Sequence, residues 1–117
     1  MKKVIMIDDD PGILEAFMIV FQQAGYKISV FNDADLILKD KFDEPDIFII
    51  DKQLAGVDGI DVCRYLKSRV KESSTPIIIF SASPMMEANA QDAGADGFIE
   101  KPFKTTDLLR MVRRLIV

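Results

Sequence analysis

The chain is predicted to fold as an α/β domain built on a parallel sheet, and two observations carry that prediction. Five short apolar runs alternate with five stretches of helical periodicity, the pattern of βαβ units joined by right-handed crossovers. Three of the five runs are apolar throughout, as strands covered on both faces must be. With 117 residues, 49% of them apolar, the chain is long enough for one substantial core and is expected to form a single domain over residues 1–117.

The first strand is KVIMI (3–7). A helix follows from about Pro11 to Ala24, with Asp10 placed to cap it, Pro11 at its first position and Gly25 where it should stop. Ile13, Leu14, Phe17, Val20, Phe21 and Ala24 share one face of that helix. KISVF (27–31) is the second strand, and a helix near 34–42 follows it. DIFII (46–50) is the third strand, and the next helix starts near Asp58 with Ile60, Cys63, Leu66 and Val70 on one face. PIIIF (76–80) is the fourth; Ser83 is then expected to cap a helix opened by Pro84 and closed near Gly94. GFIE (97–100) is the fifth, and the last helix carries Leu108, Leu109, Val112, Leu115 and Ile116.

Strand character sets the order. Strands one, three and four are wholly apolar and belong in the middle, whereas strand two alternates and strand five is short and mixed, which suits the edges. The simplest order that satisfies this is 2-1-3-4-5 with helices on both faces, a doubly wound (βα)5 sheet of the flavodoxin-like kind.

Several functions are excluded at once. No apolar run is long enough to span a membrane, and the N-terminus has no signal-peptide pattern, so no membrane role is expected and a cytoplasmic location is. The single cysteine, Cys63, forms no internal disulfide and reads as core. A net charge of −4 argues against nucleic-acid binding by this domain itself, and Arg110, Arg113 and Arg114 read as the polar face of the last helix. Histidine is absent, which rules out a catalytic histidine or a histidine phosphodonor within the chain.

The polar residues that follow the strands are more telling. In such a sheet ligands bind beyond the carboxyl ends of the strands, where strand order reverses between strands one and three. Asp8 and Asp9 follow strand one, Asp51 strand three, Ser81 strand four and Lys101 strand five, so all five project onto one edge. Two unit charges about 4 Å apart repel by roughly 4 kcal/mol at an effective dielectric near 20, so three gathered carboxylates need compensation. Lys101 supplies one positive charge, and a hard divalent ion supplies the rest. Mg²⁺ suits the place because it takes few protein carboxylates and keeps positions open for water or phosphate oxygens. Asp51 then becomes a nucleophile toward phosphorus, with Mg²⁺, Lys101 and the Ser81 hydroxyl meeting the charge on the equatorial oxygens. An ionised carboxylate has no proton to lose, so no general base is required.

At these residues the chain resembles, over essentially its whole length, the receiver domain of two-component response regulators. IDDDP matches the family's acidic pair, IIDKQLAGVDG its phosphoacceptor loop, FSAS its hydroxyl position and EKPF its lysine. The resemblance implies that Asp51 is phosphorylated, that Asp8, Asp9, Asp51 and the backbone carbonyl of Gln53 hold Mg²⁺, and that Lys101 and Ser81 bind the phosphoryl group. It implies a cis bond between Lys101 and Pro102, and a switch in which Ser81 moves inward as Phe98 rotates. The donor would be a sensor histidine kinase or a histidine phosphotransfer protein. Readout, including homodimer formation, would use helix four, strand five and helix five. Met85, Met86 and the Ala-rich 88–93 lie on that surface; on their own, both methionines read more as partial core than as a partner site. Gln53 and Ser83 stand at positions that tune phosphoryl lifetime in the family. Ala55 replaces a usual proline, which predicts a less rigid loop, and Phe98 lacks a common tyrosine hydroxyl, so switching there would rest on packing.

On this reading the protein is a phosphorelay switch that assists its own phosphorylation and slow dephosphorylation rather than an enzyme. It is either a stand-alone receiver or one cut from a longer regulator or hybrid kinase. Three rivals are weaker. A haloacid-dehalogenase-like phosphatase needs a second acid two residues after the nucleophile, where Gln53 stands. A flavodoxin-like FMN carrier wants a hydroxyl-rich loop after strand one, and acids there repel phosphate. A phosphorylation-independent docking module has no use for the intact acids, Ser81 and Lys101.

Overall fold

The computed structural model describes residues 1–69 and 74–116. Five parallel strands form the sheet: β1 (Lys3–Ile7), β2 (Lys27–Phe31), β3 (Ile47–Asp51), β4 (Ile77–Ser81) and β5 (Gly97–Glu100). Their order is β2-β1-β3-β4-β5, as strand character predicts. The three wholly apolar runs lie in the middle, and the alternating β2 lies at one edge with alternate residues in water.

Period-two alternation sends successive side chains to opposite faces, and each face has its own core. Val4, Met6, Ile47, Ile49, Ile78 and Phe80 pack beneath α1 (Pro11–Gln23) and α5 (Thr105–Leu115). Ile5, Ile7, Phe48, Ile50, Ile77 and Ile79 pack on the other side beneath α2 (Asp35–Leu38), α3 (Gly59–Ser68) and α4 (Glu87–Asp92). Cys63 is buried in that second layer.

The helix signals hold where a side chain does the capping. Asp10 Oδ1 accepts from Gly12 N at 2.9 Å and Ile13 N at 3.4 Å, and Gly25 leaves the helix at φ +91°. Asp58 Oδ1 caps α3 by accepting from Ile60 N at 2.9 Å.

Three expectations need correction. The helix near 34–42 is only four residues long, because Asp40 turns left-handed at φ +60° and the amides of Asp40 and Lys41 fold back onto the carbonyls of Ile37 and Leu36. Ser83 does not cap with its side chain; Pro84–Met86 form a 3-10 turn that runs into α4, and the Ser83 amide donates to Ser81 Oγ instead. Met85 is 82% exposed and is no part of the core, whereas Met86 packs half-buried against the α3/α4 layer. Val70, expected on the inner face of α3, lies outside the described residues.

Phe48 is fully buried at the centre of the sheet, edge-on to Phe42. Phe48→Ala should cost about 3–5 kcal/mol of unfolding free energy. A chemical denaturation midpoint lowered at unchanged slope would register it.

Candidate functional site

The carboxyl ends of β1, β3 and β5 bring three predicted residues onto one side of the sheet. Met6, Ile49 and Ile99 all face the α1/α5 layer, so Asp8, Asp51 and Lys101, each two residues further on, share that side. Lys101 Nζ lies 3.3 Å from Asp51 Oδ2 and 3.9 Å from Asp8 Oδ2. On its other side the ammonium stands 4.6 Å from the centroid of the Phe80 ring, itself edge-on to Phe103. The Lys101–Pro102 bond is cis.

Asp8 is fully buried, Asp51 nearly so, and Asp9 is exposed at the rim. Asp8 Oδ1 accepts from Asp10 N at 2.9 Å, and Asp51 Oδ1 accepts from Gln53 N at 3.2 Å. Asp8 Oδ2, although buried, has no hydrogen-bond partner among the described residues. Asp8, Asp9 and Asp51 each offer an oxygen within 4.8 Å of the others. An all-oxygen donor set with one interior carboxylate oxygen left over fits a hard divalent cation. The residues face a polar cleft of about 260 Å³, which Gln53 and Ala82 also line.

Ser81 is the predicted residue that the structure sets apart. It is buried at the end of β4, but Phe80 faces the α1/α5 layer, so Ser81 faces the opposite one. Its Oγ accepts from Ser83 N at 3.1 Å, and Ala82 takes its place in the wall of the cleft. Phe98 is half-buried against the α3/α4 layer, on the Ser81 side.

Two contributors were missed in the sequence. A Cβ at Gly59 would stand 2.0 Å from the Asp51 carbonyl oxygen, so only glycine lets α3 start this close to the end of β3. Its signal is the Asp-Gly pair that closes the IIDKQLAGVDG stretch, where the sequence reading places only the start of a helix. Phe80 was read as an apolar strand residue, and nothing local marks it as the floor under Lys101.

The profile of the response regulator receiver domain family matches residues 4–113. The chain belongs to that family. It is 32% identical over 115 residues to the DNA-binding response regulator MtrA of Mycolicibacterium smegmatis, covering 96% of this receiver and 49% of MtrA. It is 31% identical over 120 residues to the DNA-binding dual master transcriptional regulator RpaA of a Synechocystis strain, covering 99% of this chain and 49% of that one. The receiver therefore spans about half the length of these relatives. Among solved structures, the Francisella response regulator 1452 receiver domain superposes with a TM-score of 0.89 at 28% identity, over 99% of this chain and 97% of the other. Thermotoga maritima TrrA, solved in complex with Mg²⁺-BeF, does so with a TM-score of 0.87 at 27% identity, over 98% and 99%. The chain is thus a receiver domain of two-component signalling. Among the described residues no helix is long and apolar enough to cross a membrane.

The buried acid has a measurable signature. Burial, the largest cause, pushes the Asp8 carboxyl up from 3.8 to about 6; the Asp10 amide opposes this, Asp51 repulsion adds to it, Lys101 opposes it and Asp9 adds to it. The folded state holds this proton more tightly than the unfolded chain does. The metal-free fold therefore loses stability at Asp8 as pH rises from 3.8 through about 6, and the loss is complete above that. Asp8→Asn keeps the acceptor for Asp10 N and removes the charge. Without divalent ions it should match the wild type near pH 4 and exceed it at pH 7 by on the order of 3 kcal/mol. Urea midpoints across this pH range would test it, and parallel profiles for the two proteins would refute it. Asp9→Asn, at the exposed rim, should gain less.

Proposed function

We propose that this receiver accepts a phosphoryl group on Asp51, with Mg²⁺, from a phosphohistidine of a sensor kinase or phosphotransfer protein, and that the modified domain presents a changed readout surface. The observation that supports this best is the pairing of Asp51 Oδ2 with Lys101 Nζ at 3.3 Å, beside a buried Asp8 oxygen that has no hydrogen-bond partner among the described residues. The first arrangement sets the nucleophile beside a cation. The second leaves a carboxylate oxygen with no hydrogen-bond donor among the described residues and Lys101 Nζ 3.9 Å away.

In the reaction an Asp51 oxygen forms a bond to phosphorus as the bond from phosphorus to the donor's imidazole nitrogen breaks. The electron pair leaves with the imidazole, which takes a proton from solvent. Asp51 supplies no proton and requires no base. Lys101 stands close enough to follow the charge onto the new phosphoryl oxygens. Asp8, Asp9, Asp51 and the Gln53 carbonyl would hold Mg²⁺, which neutralises the equatorial oxygens when bound. The Ser81 hydroxyl, already accepting from Ser83 N, keeps its own hydrogen to donate to the phosphoryl group. Its movement would draw on the β4–α4 loop and open space for Phe98. The readout face of α4, β5 and α5 is the surface we assign to an output partner or to a second copy of the receiver.

Incubation with acetyl phosphate and Mg²⁺, followed by intact mass measurement, tests the chemistry. Wild type should gain one acid-labile phosphoryl group, whereas Asp51→Asn should gain none. Asp8→Asn should lose labelling together with Mg²⁺ uptake. Labelling that persists in Asp51→Asn would place the acceptor elsewhere, and steady release of phosphate from monoesters would favour a phosphatase.

A further inference from the structure

The residue after the proposed phosphoacceptor is a lysine, and the site as described makes no use of it. Lys52 Nζ lies 3.1 Å from Asp58 Oδ2, with both side chains partly shielded from water. The other oxygen of the same carboxylate caps α3 at Ile60 N. One side chain thus joins the start of α3 to the residue next to Asp51. Between the two partners the chain makes a tight antiparallel ribbon, Gln53 opposite Asp58 and Leu54 opposite Val57. Gly56 takes φ +81° at the second turn residue, while Ala55 is not among the positive-φ residues, which makes the turn type II. The Gly59 amide closes the ribbon by donating to the Lys52 carbonyl at 2.8 Å.

We infer that Lys52 is a positioning residue: its ion pair with Asp58 holds the 52–58 ribbon closed, so that Gln53 is presented to the metal cleft in binding geometry. The metal part of this inference rests on the proposed function, whereas the closure of the ribbon does not. Gln53 is where the tether would be felt, since it lines the cleft and its amide donates to Asp51 Oδ1. The ribbon has no proline to restrict it, and a two-residue ladder is too short to be stable alone. The side-chain bridge supplies the missing constraint.

Charge and tether make opposite predictions, which gives the test its edge. Lys52→Met keeps the aliphatic stem and removes a cation near an acidic cleft. If Lys52 acted only through its charge, Mg²⁺ would bind more tightly to the variant. If it acts as a tether, Mg²⁺ should bind roughly 2- to 5-fold more weakly, the range expected of a partly exposed ion pair. Lys52→Arg should restore wild-type affinity. Ala55→Pro in the Lys52→Met background should recover it too, because proline pre-sets the first turn residue of a type II turn.

Calorimetric titration with MgCl₂ reads the affinity without any phosphodonor. Amide hydrogen exchange on metal-free protein reads the ribbon directly, and Gly59 N–H should exchange several-fold faster in Lys52→Met. Unchanged Gly59 protection, or Mg²⁺ binding equal to or tighter than wild type, would overturn the tether. A wild type that takes up no Mg²⁺ would overturn the proposed site instead, and the exchange measurement would still judge the ribbon.

Discussion

The arrangement at the carboxyl edge is governed by the burial of a carboxylate, Asp8, that is only partly compensated. Asp8 is carried out of water at the end of β1, a strand whose residues from Val4 onward are all buried. A carboxylate there is costly unless cations surround it. Lys101 offsets part of that cost from 3.9 Å, and its own place is fixed by the Phe80 ring beneath it and by Asp51 beside it. Hydrophobic packing thus forces the acids together, and their grouped oxygens form a donor set that could hold a hard cation. A neutral side chain at position 8 would relieve the fold and remove the reason for the site.

How far this was legible in the sequence follows from the period of a strand. Asp8, Asp51 and Lys101 stand two residues beyond Met6, Ile49 and Ile99, and those three face one layer. Once the strand order is inferred from which runs are wholly apolar, the meeting of these residues needs nothing more than alternation. The same counting, carried through strand four, would have put Ser81 on the opposite side, since Phe80 belongs with Met6 and Ile49. Locating residues only at an edge, without asking which face of it, hid that distinction.

What stayed illegible depends on contacts that no local pattern encodes. The second helix ends at Leu38 because of backbone turns at Asp40 and Lys41, and a left-handed aspartate has no reliable signature in sequence. The close approach of Gly59 to the Asp51 carbonyl is a tertiary fact, as is the exposure of Met85, a methionine that on its own reads as partial core. The ion pair between Lys52 and Asp58 joins residues six apart across a ribbon too short to be read as paired strands.

The two-sidedness of the edge bears on how a signal could travel. On the proposed reading charge arrives at Asp51, on the α1/α5 side, while Phe98 and Met86 lie against the α3/α4 layer. An event at the first must be conveyed across the sheet, and a dense interior offers few ways to do so. Ser81 sits at the boundary, next in sequence to a residue of the first side and facing the second. Its oxygen holds the Ser83 amide, and the Ser83 carbonyl receives the Met86 amide at 3.2 Å. Any movement of that hydroxyl toward the phosphoryl group would pull on the turn that begins α4. On that reading, the residue that departs from Asp8, Asp51 and Lys101 by its facing would couple chemistry on one side of the sheet to shape on the other.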